Sequence, residues 1–304
     1  MGVLQVALFG NVRVTHNNWL SEVIMTREIQ ALLAYFLLHR HRVHSREAIA
    51  GVFWGERSQD KARRSLNTAL WKLKKALEPE EVPAGTYLVN SHQGGVSFNR
   101  ASQYWLDVEV FEAKINQVLA YPFQTVQESH LADLEKTLSL YKGGLLEGFY
   151  MDWMLRERER MRALYLKSLI YLLQYCRFHR VYEKAIAYGQ QILDLEPLHE
   201  EIHREIMSLY LENGQRALAL RQYEICHAIL DRELGISPMY DTQALYLQIC
   251  NTQSRAGPPH ISQDKISFDQ LVGQLKDARL TIDLAKEKID QAFHLIAKYS
   301  QQQD

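Results

Sequence analysis

Cysteine is scarce in this chain. Among 304 residues there are three, Cys176, Cys226 and Cys250, odd in number and far apart. No CxxC pair occurs, so neither a disulfide framework nor a cysteine zinc site is expected. The three read as small core residues in a reducing compartment. Long apolar runs are missing as well. The longest, Ala31 to Leu38, falls far short of the ~20 residues that a bilayer-spanning helix needs. No basic region precedes the apolar residues of MGVLQVALFG, so that stretch does not read as a secretory signal. Val6 stands where a myristoylation signal requires Ser or Thr. The expectation is a cytoplasmic protein with no membrane partner.

Enzyme signatures are also lacking. The sequence contains no Walker-type phosphate loop, no GxSxG elbow and no GxGxxG fingerprint. One string pulls the other way. His199-Glu200-Glu201-Ile202-His203 matches HExxH, in which two histidines on one helix face bind zinc and the glutamate activates water. No clear third ligand accompanies it, although Glu224 is available. Its acidic residues suit the first turn of a helix after Pro197. His39, His41 and His44 read as a basic turn rather than a metal site. The expectation is therefore no enzyme, no catalytic residue, no metal and no cofactor. The run Arg156 to Arg160 alternates in charge and reads as a solvated helical face.

Charge is unevenly placed. The net charge is −1. Residues 1–100 carry 13 basic and 8 acidic side chains, a formal +5, and the remainder 22 and 28, a formal −6. A basic head on an acidic body points to a polyanion-binding domain joined to something else. In that head, Leu4, Val6 and Leu8 alternate with polar or small residues, and Gly10-Asn11 turns the chain into Val12-Arg13-Val14. A further short strand is expected at Glu22 to Ile24. Thr26 is placed to cap a helix to about His39, and Ser45 one to about Phe53. A third helix is expected from about Asp60 to Leu77, where Pro79 stops it. Two strands, Thr86 to Asn90 and Val96 to Asn99, follow around Gly94-Gly95. Strands, three helices and a hairpin are the layout of a winged helix-turn-helix, an α/β unit.

The third helix carries the chemistry. Leu66, Leu70, Leu73 and Leu77 fall within about 60° of one another and form a docking stripe, flanked by Ala62 and Ala69. The other side presents Arg63, Arg64, Asn67, Thr68, Trp71, Lys72 and Lys75, with Lys74 at its edge. Arg and Lys donate to guanine or phosphate, Asn pairs with adenine, and Thr offers a hydroxyl or a methyl. A tryptophan on an exposed basic face is costly unless something covers it. The wing residues Ser91, His92 and Gln93, with Arg13 and Arg46, are weaker candidates for phosphate or minor-groove contact.

From about Trp105 the pattern is helix after helix. Cys176 and Tyr210, Arg180 and Gly214, and Ala185 and Ala219 are all 34 residues apart, the tetratricopeptide period. Such pairs bury their faces only against neighbours, so further helical pairs are expected over 108–175, with Leu138, Tyr141, Leu145 and Leu146, then Met161, Leu164 and Leu169, as core. After Gly257-Pro258-Pro259, apolar residues from Phe268 to Tyr299 alternate in steps of three and four. That spacing is a coiled-coil seam, read here as a self-association helix. Val272, Phe293 and Leu295 widen the face, as a helix folded back on the repeats would require.

Several ordered segments together resemble the Streptomyces antibiotic regulatory protein (SARP) family. ARRSLNTALWKLKKAL and TYLVNSHQGGVSFN are similar to the recognition helix and wing of its OmpR-type winged helix. WLDVEVFEAKI, YKGGLLEGFYMDWMLRERERM, ILDLEPLHEEIHREIMSLYLENGQRALALRQYEI and LDRELGISPMYDTQALYLQI resemble its bacterial transcriptional activator domain. The resemblance covers about residues 3–250 and implies a mostly α protein in three parts. These are a winged-helix DNA-binding domain over 1–100, a tetratricopeptide-like activator domain over 104–255 and a heptad helix over 262–304. It implies a sequence-specific activator that binds promoter-proximal direct repeats as a dimer and recruits RNA polymerase. The helix over 60–77 would enter the major groove of double-stranded DNA and the wing over 86–99 the minor groove. Set against that family, the expectation is a member without the ATPase domain of the larger ones and with a heptad tail that the small ones lack. The competing reading is a tetratricopeptide scaffold whose DNA binding is secondary or lost.

Overall fold

The computed structural model describes residues 3–16, 25–91 and 94–251. The strand expected at Glu22 to Ile24, the wing residues His92 and Gln93, and the heptad segment over 262–304 lie outside them. No helix among the described residues is long and apolar enough to cross a membrane.

The alternation at the start forms β1 (Leu4–Ala7) and β2 (Arg13–His16), paired antiparallel around Gly10, whose φ of +72° suits the turn. Leu4 and Val6 are fully buried on the inner face. Helices α1 (Arg27–Leu38), α2 (Arg46–Trp54) and α3 (Gln59–Leu77) follow. Ile29, Leu32, Leu33, Phe36 and Leu37 give α1 its buried face. Ser45 caps α2 as expected, its Oγ accepting from the Ala48 amide at 3.1 Å. Thr26 precedes α1 in an extended conformation, but its side chain makes no capping bond. The hairpin strands β3 (Leu88–Asn90) and β4 (Val96–Phe98) are shorter than their apolar patterns suggest.

Among the described residues seven helices form the body: α4 (Asp107–Leu119), α5 (Glu128–Leu138), α6 (Asp152–Phe178), α7 (Tyr182–Leu195), α8 (Glu200–Glu212), α9 (Arg216–Leu234) and α10 (Tyr240–Asn251). The 34-residue period is visible atom by atom. Arg180 and Gly214 both turn the chain left-handed, at φ +58° and +73°. The amide just after each closes the same bond, Val181 to the Cys176 carbonyl at 2.8 Å and Gln215 to the Tyr210 carbonyl at 2.7 Å. Ala185 and Ala219 are both fully buried. Burial pushes the thiol of Cys176 up to about 11 and that of Cys226 up to about 12, as inert core residues.

The structure corrects three readings. Helix does not begin at Trp105. Tyr104–Leu106 form a strand, β5, parallel to β1, completing a sheet ordered β2-β1-β5. Tyr141, Leu145 and Leu146 do not belong to a helical pair, because the chain between α5 and α6 is irregular. The charged run at the start of α6 is not simply solvated. Arg158 donates to the carbonyls of Leu145 (2.7 Å), Leu146 (2.5 Å) and Phe149 (2.8 Å), and Arg160 pairs with Glu112 and Glu157.

Those corrections meet at one joint. Leu8 and Phe9 leave the end of β1, and their buried amides donate to one carboxylate oxygen of Asp107, at 2.8 and 3.0 Å. The other oxygen accepts from the Val108 amide at 2.7 Å. The irregular segment is stitched to the same place. The Gly10 amide donates to the Gly144 carbonyl at 2.9 Å and the Leu146 amide to the Leu8 carbonyl at 2.9 Å. Phe9 packs edge-on against Phe111 of α4 at 4.9 Å and beside Tyr141 at 5.1 Å. Trp153 of α6 meets Tyr35 of α1 at 5.2 Å. One apolar cluster therefore runs from Leu4 through α1 and α3 into the body helices.

Burial pushes the Asp107 carboxyl up, against the pull of its backbone donors. A carboxyl raised in the folded state withdraws stability as pH rises past the ordinary carboxylate range. What holds the joint is therefore its acceptor geometry. Asp107→Ala should cost about 3 kcal/mol in denaturant unfolding at neutral pH, because it orphans buried amides. Asp107→Asn, which keeps an acceptor oxygen, should cost less than half as much. Its deficit relative to wild type should grow as pH falls toward the carboxylate range, because wild type regains stability on protonation and Asn does not titrate. Equal losses for Ala and Asn would mean that the charge itself closes the joint.

Candidate nucleic-acid interface

Helix α3 buries Ala62, Leu66, Ala69, Leu70, Leu73 and Leu77. The opposite side is exposed at Arg63, Arg64, Asn67, Thr68, Trp71, Lys72 and Lys75. All seven side chains expected on one face are therefore together on it. Trp71 is 61% exposed, with the Lys75 ammonium one turn on at 5.3 Å from its ring. The Thr68 hydroxyl donates to the Arg64 carbonyl at 3.0 Å, leaving its methyl and oxygen lone pairs available. Arg63 lies 3.8 Å from Glu47, with both side chains exposed, so the pair does little to neutralise the face. Beside α1, Arg57, Arg64 and Lys72 border a groove of about 290 Å3. The Arg57 guanidinium donates there to the Ser65 hydroxyl at 2.7 Å.

The wing is locked to this helix at both ends. Glu78 follows α3 directly, where a carboxylate opposes the helix dipole. Its oxygens instead accept from the amides of Gly85 (2.9 Å), Tyr87 (2.7 Å) and Leu88 (3.0 Å), which starts the hairpin. At the tip, His44 and Val96 exchange backbone bonds of 2.9 and 2.8 Å. Gly95 is required there, since a Cβ would lie 2.6 Å from Val43 Cγ1 and 3.0 Å from the His44 carbonyl oxygen. Arg46 at the start of α2 then ties helix to wing. It donates to Asn67 Oδ1 at 2.9 Å, to the Gly94 carbonyl at 3.2 Å and to Asn90 Oδ1 at 3.3 Å. From the sequence Arg46 is a weaker candidate for phosphate or minor-groove contact, with no structural role foreseen. The bridge joins residues 21 and 44 positions apart, which no local pattern signals. Ser91 accepts from the Gly95 amide at 3.1 Å and shapes the tip. Arg13 is exposed on β2.

The HExxH string is placed otherwise than a zinc site requires. His203 is buried, its Nε2 facing the Pro197 carbonyl at 2.9 Å and its Nδ1 the Gln222 amide at 2.7 Å. Burial pushes its pKa down, so the ring is neutral, donating at Nε2 and accepting at Nδ1. Both nitrogens are thereby used, Nε2 in the turn that precedes α8 and Nδ1 in packing α8 against α9.

Replacing Arg46 with Ala removes its two bonds to the wing and its bond to Asn67 of α3 without touching the core. Amide exchange at Ser91 and Gly95 should then accelerate about fivefold, the effect of losing ~1 kcal/mol of local protection. The amides of α3 should be unaffected. Arg46→Lys, which lacks the planar fork, should not restore protection. Unchanged exchange at the tip would show that the backbone pairing with His44 is sufficient.

The chain matches known families in the same order as its architecture. Residues 21–96 match the family "Transcriptional regulatory protein, C terminal", and residues 106–250 match the "Bacterial transcriptional activator domain". It is 23% identical over 266 residues to the transcriptional regulatory protein MoaR1 of Mycobacterium tuberculosis, covering 84% of this chain and 78% of that one. It is 25% identical over 255 residues to the regulatory protein AfsR of Streptomyces coelicolor, covering 82% of this chain but 24% of AfsR. Among solved structures, Mycobacterium tuberculosis EmbR in complex with a low affinity phosphopeptide shares the fold, with a TM-score of 0.60 and 19% identity. That likeness covers 83% of this chain and 66% of EmbR. An OmpR-type winged helix followed by a bacterial transcriptional activator domain makes this chain a member of the SARP family of transcriptional regulators.

Proposed function

We propose that the chain is a sequence-specific DNA-binding activator whose α3 lies in the major groove while the wing follows the adjacent backbone and minor groove. The observation that carries this reading is the exposed face of α3, where Arg63, Arg64, Lys72 and Lys75 surround a largely exposed Trp71. A solvated surface helix gains nothing from such a tryptophan. A helix in a groove about 12 Å wide covers it. Arg64 and Lys75 supply phosphate or guanine contacts. The Asn67 amide, oriented by Arg46, offers its NH2 to a purine acceptor. His92 and Gln93 complete the wing contacts.

In this reading residues 1–100 form the DNA-binding head and 104–255 the activator body, and the heptad segment over 262–304 pairs two copies. A dimer suits direct repeats upstream of a promoter, where the body engages RNA polymerase. The protein acts as a regulator in the cytoplasm and not as an enzyme, in keeping with its family.

Replacing Arg64 and Lys75 together with Ala should weaken binding to an operator fragment at least tenfold. It should also lower the slope of log K against log salt by about 2, since each phosphate contact contributes ~0.9. Fluorescence anisotropy across a salt series measures both. An unchanged slope would remove these two side chains from the interface.

A further inference from the structure

The repeat domain holds a groove that the DNA reading does not use. It lies between α6 and α8, has a volume of about 780 Å3, and is walled by Phe123, Ile170, Phe178 and Ile202. Phe178 is 56% exposed although it is a large aromatic, and it meets Phe123 edge-on at 6.1 Å. The size is that of a small-molecule pocket, and a docked protein would need a far larger face.

The polar residues of the groove divide into spent and free. Arg177 is bound by two carboxylates, Glu205 at 2.5 Å and Glu212 at 2.8 Å, so those three charges hold α6 to α8. Arg180 is different. It is exposed, lines the same groove, and its guanidinium takes part in none of the hydrogen bonds or ion pairs among the described residues. It also occupies a left-handed backbone position, φ +58°, where the next repeat has Gly214 at +73°. A side chain at such a position is strained, and glycine removes the strain. Nothing in the packing of the α6–α7 turn calls for an arginine. The turn closes through backbone bonds that the glycine turn makes equally well.

We infer that this groove binds a small monocarboxylic acid with an apolar body. The body would lie between Phe123 and Phe178, and the carboxylate would pair with the Arg180 guanidinium. Two cations and the three carboxylates of Glu201, Glu205 and Glu212 line the groove. Glu201 is unpaired as well among the described residues, so the carboxylates outnumber the cations, an anionic group is favoured only beside Arg180, and a multiply charged ligand such as a nucleotide is repelled. Affinity therefore comes from apolar burial, and the single free arginine sets orientation. The site is separate from the DNA-binding face, and the inference stands or falls independently of it.

Anilinonaphthalene sulfonate, a monoanion with an aromatic body, serves as the probe in a fluorescence titration of the full chain, with decanoate as competitor. The wild type should bind one probe with enhanced, blue-shifted emission, and decanoate should displace it. Arg180→Gly should weaken probe binding about tenfold, as removal of a charge-assisted hydrogen bond does. It should also leave the melting temperature equal to or above that of the wild type, because it copies the sister turn. Phe178→Ala, at an exposed position, should weaken binding as well. A second groove between α7 and α9, lined by Leu218 and Ile225, supplies the control. Probe binding that falls in Ile225→Ala but not in Arg180→Gly or Phe178→Ala would overturn the assignment. So would probe binding that decanoate fails to displace.

Discussion

The carboxylate of Asp107 fixes where the winged-helix head meets the body. Strand β5 ends at Leu106, so the amides of Leu8 and Phe9 run past their sheet partner. Buried amides without acceptors are expensive, and the residue that begins α4 takes both. That single placement ends the sheet, starts the first body helix and puts Phe9 against Phe111 and Tyr141. The irregular segment after α5 then closes on the same strand end, and Arg158 gathers three of its carbonyls. Leu146 accepts a left-handed backbone there, at φ +53°, while fully buried. The head is thus no bead on a linker. It shares one core with the helices behind it.

The consequence is mechanical. The body packs against α1 through Trp153, and α1 packs against α3. The wing is set relative to α3 by Glu78 at one end and Arg46 at the other. The body is therefore joined to the exposed face of α3 through packed side chains rather than through a tether. The basic charge of the head is modest, +5 over its first hundred residues. It is concentrated where the apolar stripe of α3 leaves a face free. Placement rather than total charge gives that face its cationic character.

Much of this was legible in the sequence, for identifiable reasons. Helix α3 declared itself because its leucines recur at helical spacing and its cations fill the other side. The repeats declared themselves because a fixed period places Arg180 and Gly214 at equivalent turns. What escaped was long-range. Tyr104–Leu106 carries no strand pattern of its own and becomes one only because β1 offers an edge. Nothing in the local sequence singles out Asp107, because its partners, Leu8 and Phe9, lie about a hundred residues away. Tyr141, Leu145 and Leu146 have helical spacing, yet Gly143, at φ +156°, and Gly144 break the chain there. The alternating charges of α6 read as surface because their partners, Glu112 and the carbonyls of the preceding segment, are assigned only by the fold. Arg46 is one basic residue among several until the wing folds over it.

The central claim is that the face of α3 reads a DNA sequence rather than merely attracting charge. Its most direct test is to incubate the full chain with fragments of its own genome and sequence what is retained at moderate and at high salt. The account predicts that a short direct repeat is enriched and survives the higher salt while bulk DNA is lost. Retention that is blind to sequence and vanishes with salt would contradict it, and the repeat domain would then be the working surface of the protein.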